Sequence, residues 1–461
     1  MLNSIVRFQE IEINNFKNVQ KGNLDFPNYK KKIYFDNTSE IIGLYGQNGS
    51  GKTTLIEALK ILKIVLSGKE LPGNSGDFIL SSSKNSKLAF TFYVEKENFG
   101  KYIVKYEFLI EKTEDGKATI TQERLSYKKL VAEKWTKIKD IIFFDSMNEG
   151  GIFNPKKNID LFDEKEKDEL KFSKRYCRKE KMSFIFNDET KNIFRQNNKF
   201  SEYFEIINLL EFFARVNLFI VDNSHSGLIN ANIVLPFSFR YLEEKSLSQG
   251  DLAITLFKSS IINKKEFILV KKIIQQMNIV LNQIIPGLEI KIKEYGMQLM
   301  ENNQEGINFD LISKRGEVEI ALKYESEGIK KIVSILSTLI AVYQNSSFCL
   351  AIDELDAGIF EYLLGEILEV ISKYGKGQLI FTSHNLRPLE VLKKDSLIFT
   401  TSNPKNKYIR YSNIKKNNNL RSVYMRSLII GGQSEIVYEE TNSFDIVRAF
   451  KRAGRISDDK N

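Results

Sequence analysis

A chain of 461 residues with 42% apolar content is long enough for two or three domains' worth of buried core and has the composition of an ordinary globular protein. Its 68 Lys and Arg exceed its 59 Asp and Glu by nine, a balance that leaves an acidic partner such as DNA or RNA open. Cys177 and Cys349 imply no disulfide framework, and the longest nearly apolar stretch, Ile332 to Tyr343, is too short to span a bilayer, so the setting expected is reducing and cytoplasmic, with no membrane contact.

Near the N-terminus, Ile11 and Ile13 alternate with polar neighbours, as do Leu24 and Phe26, which predicts strands. The run Ile41 to Tyr45 suits a short buried strand. It leads into Gly46-Gln47-Asn48-Gly49-Ser50-Gly51-Lys52-Thr53, followed by Thr54, and then Leu55, Ile56, Ala58, Leu59, Leu62 and Leu66 recur at helical spacing. The turn fits G-x-x-x-x-G-K-[ST] residue for residue and joins a strand to a helix. Glycines there let successive N–H groups curl around phosphates, and the helix N-terminus adds its positive dipole end. Residues 46–54 are therefore the expected nucleotide cradle, with Lys52 on the β/γ oxygens and the Thr53 hydroxyl on Mg²⁺. Segments 87–96, 101–111 and 118–128 read as an antiparallel meander.

Between 131 and 305 the chain turns rich in Lys, Glu, Asn and aromatics, with helices expected over Phe204 to Ile220 and Phe267 to Ile284; it reads as a mainly helical insertion. His225 falls in this stretch and reads as a loop residue. Over 306–400 helices alternate with apolar strands, the pattern of a parallel sheet. Tyr324-Glu325-Ser326-Glu327-Gly328 precedes an apolar helix, so Ser326 and Gly328 form a second anion site suited to the γ-phosphate of a nucleotide bound elsewhere. Phe348 to Ile352 ends in Asp353-Glu354, which places both acids at the carboxyl edge of the sheet, Asp353 for the Mg²⁺ shell and Glu354 to polarise water. The strand Gln378 to Thr382 delivers His384 to the same edge. The remainder, 401–461, holds twelve Lys and Arg against six Asp and Glu and is a basic C-terminal region. No internal repeat or sustained heptad is visible.

The order of these motifs resembles the ABC-type ATPase heads of the SMC, RecF and OLD families. Gly328 lies 25 residues before Asp353, and Glu354 lies 30 before His384, each gap fitting one helix and one strand. Ile11-Glu12-Ile13-Asn14-Asn15-Phe16-Lys17-Asn18 is similar to the opening strand and turn of these heads, which implies nucleotide contacts for Lys17 and Asn18. Glu-Ser-Glu-Gly-x-Lys-Lys at 325–331, with Tyr411-Ser412-Asn413-Ile414 and Leu420-Arg421-Ser422-Val423-Tyr424, is similar to bacterial AAA-type ATPases of anti-phage and abortive-infection systems, of the Septu, PARIS and retron-associated kind. The resemblance covers about residues 1–130 and 305–430.

It implies an α/β ABC-type P-loop head with a β-meander lobe and an inserted helical subdomain, binding ATP and Mg²⁺. Two copies would share each nucleotide, with Ser326 and Gly328 acting in trans, Glu354 as base and His384 sensing the γ-phosphate. It further implies a homodimer or higher oligomer and an effector, a nuclease or toxin, encoded nearby. The alternatives are a RecF-like DNA-repair ATPase and an ATP-gated protein scaffold. No paired-acid or HNH nuclease motif is visible, and Phe360 stands where relatives often carry a histidine. Gln122 is the candidate for the glutamine loop, although its pattern is that of an alternating strand residue.

Overall fold

The computed structural model describes residues 4–30, 37–148, 150–243, 246–300, 304–411, 419–429, 435–439 and 441–454. The glycine-rich turn is reached from the strand Glu40–Tyr45, which is buried along its whole length. Ile42 and Leu44 enter one hydrophobic core and Ile41 and Tyr45 the other. A strand apolar on both faces belongs inside a covered parallel sheet, and here it occupies the third place in a six-stranded sheet. The order is Tyr408–Ile409, Leu397–Thr400, Glu40–Tyr45, Gln378–Thr382, Cys349–Ile352, Leu218–Val221. All neighbours are parallel except the short edge strand Tyr408–Ile409. Cys349 and Ala351 face the first core, Leu350 and Ile352 the second.

The first core lies under the helix Lys52–Leu66 and a seven-stranded antiparallel sheet. That sheet runs Val19–Asp25, Ser4–Phe16, Asn85–Lys96, Gly100–Lys112, Ala118–Val131, Lys134–Trp135, with Lys139–Asp145 paired to Ala118–Val131. The second core is covered by the helices Lys264–Ile284, Glu327–Gln344 and Glu361–Tyr374. Smaller antiparallel units, Val234–Glu243 with Ser246–Thr255 and a four-stranded sheet built on Glu305–Arg315, complete the chain.

A buried polar knot ties the two large sheets together. The Arg7 guanidinium donates to Glu40 Oε2 at 2.8 Å, to Lys376 O at 2.6 Å, to Ser346 O at 3.1 Å and to Thr38 O at 2.9 Å. Gln378 donates to Phe8 O and accepts from Phe8 N, both at 2.8 Å, where the pairing of Ser4–Phe16 shifts register.

The segment 131–305 departs from the helical expectation. It supplies Lys139–Asp145 to the antiparallel sheet and Leu218–Val221 to the parallel one. The helix expected over Phe204 to Ile220 ends at Phe212, makes one π turn over Phe213–Asn217 and becomes the strand Leu218–Val221. A short apolar run fits either state by pattern, and the parallel ladder offered by Cys349–Ile352 decides it. In the basic C-terminal region two cations are drawn into the fold. Lys407 is buried, and Arg410 donates to Asp395 O at 2.9 Å and to Asp25 O. Lys415 and Lys416 lie outside the described residues. Both cysteines are free and buried, and among the described residues no helix is long and apolar enough to cross a membrane.

Candidate functional site

The turn 46–51 adopts backbone that only glycine takes without strain: φ is +153° at Gly46, +75° at Gly49 and +100° at Gly51. Gly51 caps the helix Lys52–Leu66, so the loop ends on an N-terminus whose free N–H groups face outward. Four segments distant in sequence hold the loop. Asn18 donates to Gly49 O at 2.5 Å and accepts from the Thr54 hydroxyl at 3.0 Å. The Ser50 and Thr400 hydroxyls meet at 2.5 Å, and Tyr408 donates to Gly51 O at 2.9 Å. Gln47 accepts from Glu439 N at 3.1 Å.

The loop opens on a cavity of about 750 Å³. Asn48, Gly49, Gly51, Lys52, Thr53 and Thr54 line it on one side, and Asp353, Glu354, Thr382 and His384 on the other. Lys17 and Asn18 line it as well. The Lys52 ammonium donates to Gly46 O at 2.8 Å and Gln47 O at 3.1 Å; burial lowers its pKa, opposed by the nearby Asp353, Glu354 and Asp356 carboxylates. Lys17 pairs with Glu57 at 2.5 Å.

The acids stand at the end of Cys349–Ile352 as the apolar run implied. Asp353 is 2% exposed, and its Oδ1 accepts from the Thr382 hydroxyl at 2.5 Å. Its Oδ2 is buried without a hydrogen-bond partner, a state that costs free energy unless a ligand completes it. The Thr382 hydroxyl also accepts from Glu354 N at 2.7 Å. Glu354 has φ +50°. Lys331 donates to the Glu354 carbonyl, and burial pushes its pKa down to about 8 against the pull of Asp356, Glu354 and Asp353. His384 is exposed, with its N–H donating to Asp356 Oδ2 at 3.1 Å.

Thr382 and Asp356 were not singled out by sequence reasoning, and Lys331 entered only as part of the motif at 325–331, with no role given to it. Asp356 had a signal, a third acid within Asp353-Glu354-Leu355-Asp356, but its hydrogen bonds to His384 N and Asn385 N arise only in three dimensions. Thr382 had none beyond its place at the end of a strand.

Ser326 and Gly328 do not line this cavity. Ser326 caps the helix Glu327–Gln344 by accepting from Ile329 N at 3.4 Å, and it is exposed. Gly328 has a packing reason of its own, since a Cβ there would meet Gly358 O at 1.9 Å. Gln122 donates to Asp145 Oδ2 at 3.0 Å inside the antiparallel sheet and is absent from the cavity lining. His225 sits in the first turn of the short helix Asn223–Asn230, with Nδ1 3.3 Å from Asp222. Phe360 is exposed and stacks near Tyr362, with ring centroids 5.8 Å apart.

A family model described as AAA domain, putative AbiEii toxin, Type IV TA system matches residues 41–390, more than half of the chain. No curated protein matches it in sequence. Similar solved structures include an SmcHead bound to the C-winged helix domain of ScpA, with 13% identity, 88% of this chain and 98% of that one covered, and a TM-score of 0.44. The SMC head domain from Thermotoga maritima has 14% identity, coverage of 88% and 100%, and a TM-score of 0.39. The recombination mediator protein RecF-ATPrS of the RecFOR pathway has 12% identity, coverage of 89% and 100%, and a TM-score of 0.36.

Proposed function

Because the chain belongs to the AAA-domain family described as putative AbiEii toxin, Type IV TA system, we propose that it is an ABC-type ATPase that binds ATP with Mg²⁺ and hydrolyses it. The observation that carries this reading is the buried, unpartnered Oδ2 of Asp353, a residue that lines the same cavity as Gly49, Gly51, Lys52 and Thr53. Mg²⁺ takes one or two protein oxygens together with phosphate oxygens, and Asp353 with the exposed Thr53 hydroxyl fits that demand. The ion would neutralise charge on the β- and γ-phosphates. Gly49, Gly51 and Lys52 would hold the phosphates. Glu354, fixed through its backbone by Thr382 and Lys331, would take a proton from water, and His384 would face the γ-phosphate.

Ser326 and Gly328 of a second copy would complete the site. Their absence from the lining of the cavity in their own chain supports a shared nucleotide. On this reading ATP joins two copies and hydrolysis releases them. In a cytoplasmic defence system the cycle would control a nuclease or toxin encoded nearby; in the RecF-like alternative its partner would be DNA.

The test is ATP binding and phosphate release by the wild-type chain and by Lys52→Ala. Loss of binding in the variant, by about tenfold or more from the lost charged contacts, supports the cradle. Equal nucleotide affinity in the two proteins would remove it.

A further inference from the structure

A second cavity, of about 930 Å³, lies away from the P-loop and shares no lining residue with it. One wall is the helix Glu164–Glu180. Leu170, Ser173 and Cys177 bury one stripe of that helix, which fixes its rotation. Lys167, Lys171, Lys174, Arg175 and Arg178 recur at helical spacing beside the stripe, so burial of the apolar face turns this basic edge into the cavity. A capping box of Asp163 and Glu166 anchors the start of the helix.

The opposite wall is the segment after the strand Lys139–Asp145, with Lys156 from the short helix Lys156–Ile159. The Lys174 ammonium holds that loop to the helix by donating to Asp145 O at 2.9 Å, Asn148 O at 2.5 Å and Gly151 O at 2.9 Å. Ile152 and Phe153, 7% and 6% exposed, form an apolar floor. The Phe153 ring is held edge-on by Phe162 at 6.3 Å and Phe194 at 6.4 Å.

The charges on this basic wall are unevenly satisfied. Lys167 and Lys171 pair with Glu164 and Asp168 on the surface of the helix. Arg175, Arg178 and Lys156 have no ion pair among the described residues, and Asp160 is the one carboxylate among the described lining residues. Guanidinium groups with unused forks suit phosphate oxygens, which they bind in bidentate fashion. A rigid apolar floor beneath a basic wall suits a ligand that carries an aromatic ring beside its phosphates, and the volume is that of a ligand pocket.

We propose that this cavity is a second phosphate-binding site, built for nucleotide chemistry, in the form of either a free nucleotide or a short stretch of single-stranded nucleic acid. The assignment does not depend on the P-loop reading.

The experiment uses the full chain carrying Lys52→Ala, so that the P-loop contributes as little as possible, and three probes: ATP, inorganic tripolyphosphate and a short single-stranded thymidine oligonucleotide. Arg175→Glu with Arg178→Glu is compared with Arg175→Lys and Arg178→Lys. Affinity for ATP or for the oligonucleotide should fall by about tenfold per reversed arginine, and by less in the lysine pair, which keeps the charges but loses the bidentate forks. The oligonucleotide arm should also lose affinity as salt rises. Whichever probe responds identifies the source of the phosphates. Unchanged affinity for both in the glutamate pair, or no measurable binding of either by the parent, overturns the site. Tripolyphosphate bound as tightly as the responding probe overturns the role given to the apolar floor. With Lys52 restored, the glutamate pair should hydrolyse ATP at the wild-type rate, which separates a lost second site from a lost fold or a failed P-loop assignment.

Discussion

Glu354 occupies backbone that a non-glycine residue rarely takes, at a cost on the order of 1 kcal/mol. Its N–H is held by Thr382, its carbonyl by Lys331, and the next N–H, of Leu355, by Thr382 O at 3.0 Å. On the Glu354 side these bonds use backbone atoms only, so a change at the carboxylate leaves them in place. Glu354→Gln should therefore keep nucleotide binding while phosphate release falls by about 10²- to 10⁴-fold, the usual contribution of a positioned general base. Retention of labelled ATP by the variant, followed alongside turnover, checks this. Turnover at the wild-type rate would take the role of base from Glu354.

The elements are joined by the knot around Arg7, which lies on the strand Ser4–Phe16 while its partners lie on the parallel sheet and the turns beside it. The side chains of Arg7 and Glu40 are 0% and 1% exposed. Removing one member of such a pair strands a buried charge, which costs about 3 to 5 kcal/mol. Arg7→Met should lower stability by that amount in urea unfolding, whereas Arg7→Met combined with Glu40→Gln should recover part of it. Recovery is expected because the second change removes the stranded carboxylate and keeps an acceptor for Asn28 N, which donates to Glu40 Oε1 at 3.0 Å. A small loss in the single variant would mean that the two sheets are joined chiefly by their apolar contacts.

On the scale of the whole molecule, the proposed sharing of one nucleotide between two copies makes a prediction that no single variant can test. Lys52→Ala and Ser326→Arg should each be inactive as homodimers, since every site in them carries a lesion. Mixed together, they form heterodimers in which one site collects both lesions and the other none. ATPase activity should return in part, read together with ATP-dependent association of differently tagged chains. If Ser326 served the site of its own chain, every site in the mixture would stay damaged and activity would not return.

The strand, glycine turn and helix at 40–66 were legible in the sequence because elements that follow one another need only local pattern: burial on two faces at 41–45, φ available to glycine at 46–51, helical spacing from 55. The acids at 353 and 354 were legible for the same reason, as the end of a fully buried strand. What holds them was not. Asp353 N donates to Val221 O, Thr382 bridges Asp353 and Glu354, and Asn18, Thr400 and Tyr408 brace the loop. Each of these partners is distant along the chain, and local pattern marked none of them as a brace. The state of Leu218–Val221 and the burial of Lys407 were settled in the same way, by a ladder and a packing surface that exist only after the chain has folded. Sequence by itself determined the local geometry of the strand, glycine turn and helix; the tertiary structure alone decided the sheet order and the brace, because both rest on contacts between segments that local pattern does not connect.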